Sequence, residues 1–256
     1  YTQPKYHFNR LAANAFAAQF YLLYGKYEKA IEHATAAIGA NPTGVMRDYS
    51  SWGGLTGGAE YTSAWVNSSV SANLFLHGIG SSAGRMPYLS RAAHMYNMLA
   101  ETLASRGPTW NSGSLVFADY IRVYNQGNTP SYVFPKQNEY FVFTNEAEQI
   151  GSAYIMNVMF SVEKTRLNRA EAYVMLEQFD NAATDLSYFY VGSGASAGDA
   201  TTIADFYDTA SALYKKEIAP RFVVKAGMQE NLIHGCLHAR RILTLHEGTR
   251  TLDLKR

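Results

Sequence analysis

YLLYGKYEKAIEHATAAIGANP, Tyr21 to Pro42, and AEAYVMLEQFDNAATDLSYF, Ala170 to Phe189, decide the fold. Each stretch ends one apolar helix at a turn and starts a second. Each sets an aromatic residue (Tyr27, Phe179) three positions before an alanine (Ala30, Ala182). Small residues at that spacing let two antiparallel helices approach closely. The turns carry the expected punctuation: Gly25 closes the first helix, and Gly39 and Pro42 close the second.

This is the tetratricopeptide pattern of paired helices. Such pairs usually make binding walls rather than catalytic centres. A plain solenoid repeats about every 34 residues. Here the two copies lie near opposite ends of the chain, so the repeats are expected to fold back on each other.

Outward from these copies, helical periodicity predicts one mostly α domain spanning 1–256. Its tetratricopeptide-like helices are expected at 4–39, 87–104, 161–190 and 202–246. In the first, Phe8, Leu11, Ala12, Ala15, Phe16 and Phe20 recur at helical spacing. Two segments, 43–86 and 109–150, mix glycine, serine and asparagine with aromatic rings. They read as a loop-rich irregular region packed against the helices, and long loops in compact domains are usually functional. YFVFT, Tyr140 to Thr144, reads as a short strand, and Leu115 to Tyr124 as strand or helix.

The chain has 256 residues, of which 47% are apolar and 17% charged, enough for a sizeable core and too apolar for disorder. Its net charge of +1 gives no footprint for nucleic acid. One cysteine, Cys236, excludes an intrachain disulfide. No apolar run reaches the ~18 residues of a transmembrane helix.

Aromatic residues make up 14% of the chain, with all three tryptophans in the loop-rich segments. A flat ring with a polar edge suits the apolar C–H face of a sugar. Trp52, Trp65 and Trp110 are therefore the candidate stacking residues. Tyr61, Asn67 and Tyr124 are the candidate polar contacts. The alternative is that the rings pin irregular loops to the helices. Asp48 and Glu60 are acids in this region, but nothing in their spacing demands the paired carboxylates of a glycosidase. His234 and His238 share a helix face, as metal ligands do, without the glutamate of an HExxH site. No enzyme, cofactor or metal site is expected. In the C-terminal run, Glu247 and Arg250 are spaced to pair, and Asp253 can reach Arg240 or Arg250. This is the pattern of a buried charge network.

That run, ARRILTLHEGTRTLDLKR (Ala239 to Arg256), resembles the hallmark of SusD/RagB proteins, roughly E-R-R-x-E-L-x-x-E-G-x-R-x-x-D-L-x-R. Arg240, Arg241, Glu247, Gly248, Arg250, Asp253, Leu254 and Arg256 match it, while Ala239 and Leu243 stand where glutamates are usual. RAEAYVMLEQFDNAATDL (Arg169 to Leu186) resembles the second hallmark of that family, and Leu11 to Ile38 its first internal repeat. The resemblance implies a nutrient-binding lipoprotein exposed at the cell outer membrane of Bacteroidetes. Such proteins capture glycans, or peptides in the RagB branch, for a SusC-like TonB-dependent transporter. The membrane would be reached only through an N-terminal lipid anchor that this sequence does not carry. Family members have a lipidated cysteine and a long segment ahead of this region, so the resemblance implies an incomplete or processed portion of a longer protein. The helical layer would face the transporter. A protein-interaction scaffold remains the alternative reading of the repeats.

Overall fold

The computed structural model describes residues 3–47, 55, 58–82, 122–126, 129–133, 136–137, 139–190, 199–209, 223–244 and 247–255. The fold is mostly helical, with a small sheet. Its helices are α1 (Arg10–Leu23), α2 (Tyr27–Ile38), α3 (Gly58–Val66), α4 (Val162–Met175), α5 (Phe179–Tyr190), α6 (Ala200–Thr209), α7 (Met228–Leu243) and α8 (Arg250–Leu254). Its strands are β1 (Asn73–Gly80), β2 (Arg122–Gln126), β3 (Thr129–Val133), β4 (Tyr140–Asn145) and β5 (Ile150–Ser161).

Both quoted helix pairs form. Asn9 caps α1, its Oδ1 accepting from the backbone N–H of Leu11 (2.9 Å) and Ala12 (3.0 Å). Its Nδ2 donates to the Leu74 carbonyl at 3.0 Å and so ties the start of the helix to β1. Gly25, at φ +75°, makes the turn into α2, a conformation that side-chain-bearing residues adopt at a cost. Glu177, at φ +59°, makes the equivalent turn between α4 and α5.

α4 is the hub: α1, α2, α5 and α7 all pack against it. The contact surfaces of α1 and α2 are alanine-rich. Ala12, Ala15 and Ala18 on α1, and Ala30, Ala34 and Ala37 on α2, are buried. Larger apolar residues fill the second layer, where Leu167, Val174, Leu186, Phe189, Tyr207, Leu232, Ile233 and Leu237 share one core with Tyr61 and Trp65.

The sheet has the order β1-β5-β4, antiparallel throughout; β2 and β3 pair separately as a hairpin. β5 runs straight into α4, with Ser161 serving as the last strand residue and as the helix cap. Gly151 in β5 is a close-approach position, since a Cβ there would collide with the Val142 carbonyl.

Two expectations change. Segment 43–86 is not one long loop: it contains α3 and β1. Tyr61, Thr62, Trp65 and Val66 are buried at helical spacing on α3, a pattern of one face only two turns long and obscured by the glycines before it. Segment 109–150 likewise contains β2, β3, β4 and the start of β5. β4 matches the predicted strand. β5 escapes a period-two reading because apolar residues occupy both of its faces. The expected helix at 87–104 lies outside the described residues. The helical stretch expected at 202–246, read as two helices broken at Pro220, corresponds to α6 and α7. Among the described residues, no helix is long and apolar enough to cross a membrane.

Close helix approach gives a direct test. Ala34 has no exposed surface, so Ala34→Leu forces α2 away from its neighbours. The expected loss is about 1–3 kcal/mol, measured by urea unfolding; an unchanged midpoint would show that the interface has room.

Candidate functional site

The described structure offers two candidate features, a polar hollow and an aromatic face. The hollow lies where α3, β5, α4 and the C-terminal segment meet, with a volume of about 130 Å³. β5 supplies Met156, Asn157, Val158 and Met159, α3 supplies Trp65, and α4 supplies Lys164. Lys136, Gln137, Glu247 and Thr249 complete the wall.

Glu247 organises the charges. One carboxylate oxygen accepts from Lys136 Nζ at 2.8 Å and the other pairs with Lys164 Nζ. Lys136 also donates to the Leu243 carbonyl, and Lys164 to the Val158 carbonyl at 2.7 Å. Burial is the largest influence on Lys136 and lowers its pKa to about 8, despite the opposing pull of Glu247. For Glu247, burial acts to raise the pKa, but the two ammonium groups together outweigh it and hold the carboxyl below its ordinary range.

Trp65 and Tyr61 do not stand out as platforms. Trp65 is 2% exposed and Tyr61 3%. The Arg47 guanidinium lies 4.2 Å and the Lys136 ammonium 4.8 Å from the Trp65 ring centroid. The indole is occupied by cations of the protein itself. Tyr61 donates its hydroxyl to the Leu55 carbonyl at 2.8 Å. Both rings act as core anchors, the alternative considered for each. Asn67 is exposed, but its Oδ1 accepts from the backbone N–H (2.8 Å) and hydroxyl (2.7 Å) of Ser69, so it shapes a turn. Tyr124 sits in β2 opposite Ser131. Trp52 and Trp110 lie outside the described residues. Among the described side chains, Tyr61, Trp65 and Asn67 are therefore not brought into a shared open site.

The histidine pair is buried. His238 Nδ1 is 2.9 Å from the Tyr207 hydroxyl, and burial, helped by Arg241, lowers the His238 pKa to about 3. Among the described residues, no group of three or more His, Cys, Asp or Glu side chains could hold a metal ion.

The aromatic face was hidden by an inversion of size. On α1 the alanines turn inward, so the large residues at the same helical spacing turn outward. Phe16, Phe20 and Tyr24 are 50%, 51% and 68% exposed, and Phe8, just before the helix, is 56% exposed. Phe16 stacks toward Phe20 at 6.4 Å between ring centroids, and Phe20 toward Tyr24 at 5.9 Å. Phe8 meets Phe75 of β1 at 5.9 Å and Phe160 of β5 at 6.3 Å, and Phe16 also meets Phe160, at 6.3 Å. Leu11 and Leu23 extend the same exposed surface. A run of contacting exposed rings is unusual on a free protein and marks interaction surfaces. Helical spacing alone does not separate the two sets; the size difference does, because close packing takes alanine inside and leaves phenylalanine to face out.

The residues of the C-terminal run are structural. Arg240 Nη2 donates to Glu171 at 2.6 Å and to Asn168 at 3.2 Å, and Nη1 to Asp253 at 3.0 Å. Burial acts to lower the Arg240 pKa, but the two carboxylates outweigh it and raise it. Glu247 takes the two lysines rather than Arg250. Arg169 clamps Asp185 through two bonds, at 2.7 and 2.8 Å, and donates to the Gly39 carbonyl at 2.7 Å. No protein-family model, curated protein or solved structure matches the chain.

Two outcomes follow from the charges. Arg240→Met leaves Glu171 and Asp253 buried without their shared cation, and urea unfolding should show a loss of about 3–5 kcal/mol. Adding Glu171→Leu should recover part of that loss. Lys136 has its pKa lowered from 10.5 to about 8 in the folded state, so the unfolded chain binds more protons between those values. Stability from this group therefore rises with pH across that window. Measured against Lys136→Gln, wild type should gain about 2 kcal/mol between pH 7.5 and 9.5. A constant difference would contradict the shift.

Proposed function

We propose that this chain is a non-catalytic capture protein of the SusD/RagB type, holding a glycan at the cell surface and handing it to a SusC-like TonB-dependent transporter. The observation that carries the reading is the aromatic face on the outside of the helical layer. The rings at Phe8, Phe16, Phe20 and Tyr24 are too exposed to serve this domain's own core, and they lie on the layer that the family resemblance would turn toward the transporter. The resemblance gains support from how its residues are used. Arg240 of the third block binds Glu171 of the second, and Arg169 of the second binds the end of the first. Residues that hold three distant blocks in one arrangement are the kind a family hallmark would contain.

Glycan contact under this proposal falls to Trp52, Trp110 and Tyr124, the remaining ring candidates of the sequence. Tyr61 and Trp65 are assigned to the core instead.

The test is co-purification of the full-length protein with a SusC-like transporter from the same cells, after co-expression. The Phe16→Ser, Phe20→Ser double variant should lose the transporter, with recovery falling about tenfold or more, and should melt within a few degrees of wild type because both rings are exposed. Unaltered recovery would remove the face from the interface. Chromatography of a glycan panel after incubation with the protein should show no cleavage products; their appearance would overturn the non-catalytic reading.

A further inference from the structure

We infer that the hollow between β5, α4 and the C-terminal segment is a binding site for a small monocarboxylate, seated on Lys164 and Thr249. The inference rests on this hollow alone and stands whether or not the chain docks on a transporter.

Charge comes first. Lys136 and Lys164 both turn their ammonium groups to the carboxylate of Glu247 at the wall of the hollow. Positive charge gathered beside a low-dielectric wall is costly, and a bound anion would offset part of that cost. The lowered pKa of Lys136, to which burial contributes most and Lys164 and Arg47 contribute in the same direction, reflects that crowding.

Donor capacity comes next. An ammonium group has three N–H donors. Lys164 spends one on Glu247 and one on the Val158 carbonyl at 2.7 Å. Its remaining contact, to the Met159 carbonyl, is stretched to 3.5 Å, the limit of a hydrogen bond. Thr249 Oγ1 is buried and has no hydrogen-bond partner. A buried hydroxyl left unpaired costs about 1–3 kcal/mol. Lys164 and Thr249 both line this hollow and also a smaller neighbouring one of about 60 Å³. One donor with spare capacity and one without any partner thus border the same space. A carboxylate has two oxygens to offer them.

Size and lining set the rest of the ligand. About 130 Å³ is close to the cavity that accepts a benzene-sized molecule. Met156, Val158 and Met159 give an apolar side, and the amides of Gln137 and Asn157, joined at 2.6 Å, give a polar one. A six-membered ring bearing one carboxylate fits both. Glu247 in the wall disfavours a second negative charge on the ligand. Two sources share this chemistry, an acidic sugar residue and an apolar ring acid.

Isothermal titration calorimetry of the purified protein at pH 6.5 tests the inference with glucuronate, benzoate and glucose. At least one of the two acids should bind, and about tenfold more tightly than glucose. The preferred acid identifies the source. Lys164→Met should weaken that binding about tenfold or more, as loss of a charge-assisted bond does. Thr249→Val separates ligand from structure, because removing an unpaired buried hydroxyl should leave the melting temperature equal or higher while binding falls several-fold. Binding should also weaken as the pH rises past about 8, where Lys136 loses its proton. No heat with either acid, glucose binding as well as the acids, or Thr249→Val binding like wild type would each overturn the inference.

Discussion

A polar helix in the middle of the molecule is the constraint on which the rest depends. α4 is buried along most of its length, yet it carries Glu163, Arg166, Arg169 and Glu171 among its buried residues. Buried helices are ordinarily apolar all round. Each ionised group on α4 must therefore find a counter-charge or lose the benefit of folding. The counter-charges come from other parts of the chain. Glu163 takes Arg47 at 2.9 Å, Arg166 and Arg169 take Asp185 of α5, and Glu171 takes Arg240 of α7. Half-buried Lys164 takes Glu247. Burying apolar surface would hold these elements together in many registers. The charges on α4 select one.

The same pairing explains the hollow and the core around it. Arg47 is held by Glu163, by Asn73 and by the Trp65 carbonyl, and it lies over the Trp65 ring. Asn73 bridges back to the carbonyls of Trp65 and Asn67, both at 2.9 Å. α3, β1 and α4 are thus joined through polar atoms where a hydrophobic contact would be expected. Trp65 is fixed so firmly in this arrangement that only a margin of its ring reaches the hollow.

The helix pairs were legible in the sequence because their pattern is local. Glycines stand where the backbone turns, alanines where helices touch, and apolar residues recur at helical period. The charge network was legible in outline, since Arg240, Glu247 and Asp253 fall within fourteen residues of one another. Its partners were not: Lys136 is more than a hundred positions from Glu247, and no local spacing foretells that pairing. Trp65 misled for a related reason. Composition shows that rings are abundant between helices, but exposure is decided by tertiary neighbours. Trp65 met two cations and a helix, while the rings that do face outward sit on α1, where periodicity alone suggests a core face.

The position of the C-terminal segment imposes an order on maturation. Glu247 and Asp253 neutralise cations that lie on β5's continuation into α4, on α7 and near residue 136. A ribosome adding about 5–20 residues per second exposes those cations well before their anions have been made. The nascent chain can pair most charges of its central helix early, but Lys136, Lys164 and one side of Arg240 wait for their anions until the segment from 247 to 253 clears the exit tunnel.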